Sequence, residues 1–323
     1  MKRIDIEHTP YDGAKSQAAL RMLVLTCTLS SVLMLFSACG DAADNGGERD
    51  SRQTVVVSIL PVGQWVHGVA AGELRVLTLL PANANPHTFE LLPRQILEAS
   101  GSRLLLFIGA GLEQWSDKLV SNLESSRPTV LYLSDGFELL QDGHEHSAHH
   151  GHTHEFGNPH VWLDPLFAVA AVERVRDALC DMFPEKKDYF MRNASNYIDS
   201  LRALDATILE RTEAWTHRRF VADHSSWPYF AKRYGLEESG AIEAQPGREV
   251  SAKEMASLIR RMKQQNIVAL FADVRSAAKG VTVLAEETSA GIARLDPQGG
   301  MFAPHSYIAY MMANVEAMES VLR

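Results

Sequence analysis

Short apolar runs recur along the chain, each ending at turn-forming residues: Thr54 to Leu60, Val76 to Leu80, Leu104 to Ile108 and Thr129 to Leu133, then Phe220 to Ala222, Ile267 to Phe271 and Ile292 to Leu295. Runs this short, with helical segments between them, fit strands buried on both faces in a βα alternation. The two series predict an α/β fold of two lobes, each a mostly parallel sheet flanked by helices. Glu185 to Trp215 contains no Gly or Pro, and places Tyr189, Phe190, Ala194, Tyr197, Ile198, Leu201, Leu204 and Ile208 three and four apart. That spacing predicts one long rigid helix, with Pro184 suited to its first turn. The expected domains are an N-terminal lobe at 54–184, a linking helix at 185–215 and a C-terminal lobe at 216–323. A stiff rod between two lobes limits hinge opening.

Ahead of the first strand the pattern changes. Met22 to Phe36 is an almost uninterrupted apolar run, preceded by Lys2, Arg3, Lys15 and Arg21. It is short of the roughly 20 apolar residues that span a bilayer and has the layout of a signal peptide. Leu35-Phe36-Ser37-Ala38-Cys39-Gly40 resembles a bacterial lipobox, departing at Phe36 where Leu is usual. Residues 1–38 are therefore expected to be removed and Cys39 to be lipidated. The polar stretch 39–53 then tethers an exported body to a membrane, in the periplasm or at the cell surface.

Composition narrows the partners. With 31 Lys and Arg against 40 Asp and Glu, the net charge of −9 argues against a sequence-independent grip on nucleic acid. The 3 cysteines cannot form a disulfide framework, and Cys180 is expected to be a buried structural thiol on a helix face.

Histidine stands out, with 13 residues. Six of them, His144, His146, His149, His150, His152 and His154, crowd the segment 143–157, which holds little that could pack into a core. Such a tract reads as an auxiliary loop collecting zinc, nickel or copper in several geometries. His8 leaves with the signal segment. His67 and His217 fall on predicted helix faces, and His305 precedes the last helix. His87, His160 and His224 each follow a predicted strand at its C-terminal end, where α/β sheets bind ligands. Taken singly, a loop histidine is more often structural.

Taken in order, the surrounding motifs are more specific. Pro86-His87-Thr88-Phe89-Glu90, Gly111-Leu112-Glu113-Gln114-Trp115, Asn158-Pro159-His160-Val161-Trp162-Leu163-Asp164-Pro165, Asp223-His224-Ser225-Ser226-Trp227-Pro228 and Leu295-Asp296-Pro297 resemble the zinc and manganese receptors of bacterial ABC importers, from about Val55 to the C-terminus. The resemblance implies two α/β lobes on a rigid backbone helix, with metal ligands His87 and His160 from the first lobe and His224 from the second. It implies a carboxylate from Asp296, or water, at the fourth position. Asn85 and Asp273 depart from the family pattern, which usually has an acidic residue at the former and commonly Glu at the latter. Glu90 is expected to hold an imidazole in its tautomer.

Three neutral imidazoles favour zinc over manganese, which prefers carboxylate oxygen. The expected function is a receptor, acting as a monomer, that captures Zn²⁺ between its lobes and passes it to an ABC permease. The alternatives are a manganese or iron receptor of the same family, or a periplasmic zinc buffer or chaperone acting through the histidine tract. A zinc hydrolase would need a general base beside metal-bound water. No His-Glu-x-x-His and no Gly-x-Ser-x-Gly occurs, so a non-enzymatic role is expected.

Overall fold

A computed structural model describes residues 53–123, 127–141, 157–243, 250–276, 279–303 and 305–323, all within one compact unit, Arg52–Arg323. The expected signal segment, the tether up to residue 52, Cys39 and the six histidines from His144 to His154 lie outside the described residues.

The first lobe contains β1 (Thr54–Val57), α1 (Leu60–Ala70), β2 (Arg75–Thr78), α2 (Pro93–Ala99), β3 (Leu104–Phe107), α3 (Ser116–Asn122), β4 (Thr129–Tyr132) and α4 (Pro165–Met182). The helix α5 (Lys187–Glu213) leads to β5 (Arg219–His224), α6 (Pro228–Tyr234), β6 (Glu237–Glu243), α7 (Ala252–Gln265), β7 (Ala269–Asp273), α8 (Lys279–Thr288), β8 (Gly291–Leu295) and α9 (Tyr307–Leu322). Among the described residues there are two sheets, ordered β2-β1-β3-β4 and β6-β5-β7-β8, with every pair parallel. The two lobes thus share one topology. In each, the chain leaves a central strand and then crosses to its other side, which opens a crevice at the carboxyl ends of the strands.

Burial explains the strands. Every residue of β3 is inaccessible, as a parallel strand covered by helices on both faces must be. The first run ends as a strand at Val57, because Pro61 sits in the opening turn of α1 and Leu60 is already helical. β6 was not anticipated. It begins Glu237-Glu238, a charged start tolerated because β6 is an outer strand of its sheet, while Ser239 to Ile242 are buried.

The helix α5 buries Phe190, Ala194, Ile198, Leu201, Leu204, Ile208 and Thr212 along one stripe. A 3₁₀ turn at Pro184–Lys186 precedes it. One continuous apolar core joins this stripe to Val57, Trp65 and Leu106 of the first lobe and to Phe220, Phe271, Tyr307 and Tyr310 of the second. The last helix returns to the first lobe, where the Tyr307 ring meets Trp65 edge-on at 5.6 Å between centroids. Cys180 is buried and unoxidised in this core, and burial raises its thiol pKa.

Candidate metal centre

His87 comes from the connection after β2, His160 from the turn that begins the 3₁₀ segment Val161–Leu163, and His224 from the last position of β5. The fold brings all three together. Each ring offers a ligand nitrogen, and the three nitrogens lie within 4.8 Å of one another. The ring centroids form a near-equilateral triangle of 5.2, 5.2 and 5.1 Å. The Nε2 atoms of His87 and His160 stand 3.3 Å apart. A tetrahedral zinc ion with Zn–N bonds of about 2.0–2.1 Å sets neighbouring nitrogens about 3.3–3.4 Å apart. Two corners of such a shell are therefore already in place.

The support of each ring differs. His160 is buried, and the Asn158 side-chain oxygen accepts both its backbone N–H, at 3.0 Å, and a bond from its Nδ1, at 2.9 Å. His87 is half-buried, and its backbone N–H donates to Asn85 Oδ1 at 2.9 Å. The backbone N–H of His224 donates to Asp223 Oδ1 at 2.7 Å, while Asp223 Oδ2 accepts from the Asp273 N–H at 2.8 Å. Asp223 therefore fixes the ends of β5 and β7 relative to each other. Its burial pushes its carboxyl pKa up to about 6.

The triad opens onto a cavity of about 740 Å³ between the lobes, lined among others by Pro86, Trp162, Asp273, Arg275, Lys279 and Gln298. Bonds behind the site tie the lobes together. Trp162 Nε1 donates to Pro297 O at 2.7 Å, and the Tyr307 hydroxyl donates to Trp162 O at 2.7 Å. Arg233 pairs with Asp164 at 3.5 Å and also with Asp205 on α5.

Two residues expected at the site do other work. Asp296 is not in the cluster of ligand nitrogens. It is inaccessible, and its carboxylate accepts the backbone N–H groups of Gln298, Met301 and Phe302 at 3.3, 2.7 and 3.0 Å. These bonds hold the turn after β8. Glu90 is exposed; among the described residues Asn158 supplies the bond to a ring nitrogen that Glu90 was expected to make. The sequence signal for this was local, an amide two residues before a ligand histidine, where a side-chain oxygen can reach forward to the backbone. His217 lies in the loop between α5 and β5, and its backbone N–H donates to Leu322 O, whereas His67 is an exposed residue of α1.

The family model described as zinc-uptake complex component A, periplasmic, matches residues 55–321. The zinc-binding lipoprotein AdcA of Streptococcus pneumoniae serotype 4 is 28% identical over 308 residues, which span 92% of this chain and 61% of that protein. The high-affinity zinc uptake system protein ZnuA of Bacillus subtilis is 24% identical over 305 residues, 91% of this chain and 96% of that one. Among solved structures, a zinc-bound ZnuA lacking residues 138–173 superimposes with a TM-score of 0.74 at 25% identity. It covers 84% of this chain and 98% of that one. The chain spans about three fifths of the length of the streptococcal relatives.

Proposed function

The chain belongs to the periplasmic zinc-uptake component A family, and from that premise we propose that it is an extracytoplasmic receptor that captures Zn²⁺ and delivers it to an ABC permease without transforming it. The triangle of His87, His160 and His224, with two nitrogens at the spacing of a tetrahedral edge, carries the proposal. Three imidazole nitrogens bind the ion. With the Asp296 carboxylate taken up by three amides, the fourth position falls to water from the cavity. An all-nitrogen protein shell selects zinc over manganese.

Because the ligands must be unprotonated, zinc affinity falls as the pH drops through the imidazole range near about 6.5. Export and a lipid anchor on Cys39 complete the reading, supported by the signal-like run 22–36 and by the lipoprotein name of the streptococcal relative. The histidine-rich segment 143–157 acts as an auxiliary zinc collector.

Calorimetric titration of the parent and of His87→Ala, His160→Ala and His224→Ala tests the assignment. One tight Zn²⁺ site that each substitution weakens is expected; three variants as tight as the parent would overturn it. Deleting 143–157 should leave that site intact, and loss of most binding would favour the buffer instead. Manganese should fail to displace zinc at equal concentration.

A further inference from the structure

Asn158 is one of the points at which the two ligand-bearing halves meet, and the one next to a ligand histidine on each side. Its side-chain oxygen accepts the His160 backbone N–H, and its side-chain nitrogen donates to Ser225 O at 2.9 Å, one residue beyond His224. Both partners are backbone groups of fixed polarity, so the orientation of the amide is determined by its surroundings. The atom facing His160 Nδ1 at 2.9 Å is consequently an oxygen, and an oxygen there requires Nδ1 to carry the proton. His160 Nε2 then keeps its lone pair and turns it toward His87 Nε2.

The backbone of Asn158 extends the junction. Its carbonyl accepts from the Tyr229 hydroxyl at 2.7 Å, and that hydroxyl accepts the Leu140 N–H at 3.0 Å. The Asn158 N–H donates to Leu140 O at 2.7 Å. Gly157 adopts φ +92°, and a Cβ there would sit 2.8 Å from Leu140 O, so close closure of residues 140 and 158 needs glycine.

We propose that Asn158 is a positioning residue that holds His160 in the Nδ1–H tautomer with Nε2 ready for the ion, and that through Ser225 and Tyr229 it sets the distance between His160 and His224. The part concerning the ion rests on the reading of these histidines as zinc ligands; the tautomer does not. Removing a group that orients a ligand imidazole typically weakens metal binding about 10–100-fold.

Nitrogen-15 NMR of the imidazoles in the zinc-free protein, with zinc affinity measured alongside, tests the proposal. In the parent, His160 is expected to carry its proton on Nδ1. Asn158→Asp, which keeps the accepting oxygen but loses the bond to Ser225 O, should retain that tautomer and bind zinc more weakly than the parent. Asn158→Ala should shift His160 toward the Nε2–H form and lose 10–100-fold in affinity. A parent with the proton on Nε2, or an Asn158→Ala variant matching the parent in tautomer and affinity, would overturn the proposal. Failure of the parent to bind zinc would sink the receptor reading instead, and the zinc-free tautomer would still decide this one.

Discussion

His87 and His160 come from the same lobe and face each other across 3.3 Å, yet they are built in opposite ways. His160 is buried, and has a ring nitrogen bonded to Asn158 and a ring 5.1 Å from that of Trp162. His87 is half-buried on a loop where Asn83 and Asn85 are exposed, and one side-chain bond from Asn85 holds its backbone. One corner of the site is pre-set and the other comes in from the surface. If the triad holds zinc as proposed, the first would contribute more to affinity and the second more to exchange.

The largest test of this contrast is to remove each ring in turn. His160→Ala should lower zinc affinity by more than about 100-fold, beyond the range for a merely supporting residue. His87→Ala should cost less, because water from the cavity can fill its place; chelator competition measures both, and equal losses would erase the distinction. Next comes Gly300→Ala. An added Cβ would lie 2.6 Å from Ala82 Cβ across the lobes, and overpacking of this kind costs about 1–3 kcal/mol. The melting temperature should drop, and zinc binding should weaken through the His87 side, whose loop follows Ala82.

Asp296→Asn sharpens the contrast differently. Replacing one accepting oxygen by a donor leaves a buried N–H unmatched, worth about 1–3 kcal/mol of stability, whereas zinc affinity should stay within about twofold, as the proposed water at the fourth position requires. A large loss of affinity at unchanged stability would return Asp296 to the shell. A modest effect on affinity is expected from Pro86→Gly, which loosens the approach to His87 by about 0.4–1 kcal/mol, or roughly 2–5-fold in affinity. Pro159→Gly should do less, because Asn158 already secures His160.

The alternation of apolar runs made the two parallel sheets legible, and the three-and-four spacing from Tyr189 to Ile208 made the long helix legible, because burial on both faces or on one stripe leaves a periodic trace. Glu237–Glu243 left none, because it opens Glu-Glu-Ser-Gly and carries only two apolar residues, Ala241 and Ile242. The three histidines were recognisable by their motifs; the expected place just past a strand holds for His224, which ends β5, whereas His87 and His160 stand on long connections after β2 and β4. Their supporting groups were not recognisable, since Asn158, Glu90 and Asp296 are all polar residues next to motif positions, and only geometry tells which one bonds a ring, which faces solvent and which ties down a turn. Asp296 is the clearest case. The family resemblance implied a carboxylate there, or water in its place, but did not reveal that three amides bond it.

The apolar core that passes from the first sheet through α5 to the second has a consequence for unloading. Swinging the lobes apart would strip Trp65, Tyr307 and Tyr310 of their packing, at about 1.5–3 kcal/mol for each large side chain wetted. On the proposed function, a partner that takes the ion would gain little by prying the body open and more by displacing the short stretch around Asn83–His87. Small-angle scattering curves of the empty and loaded protein should superimpose, with the surrender of the ion visible only as a local displacement at that lip.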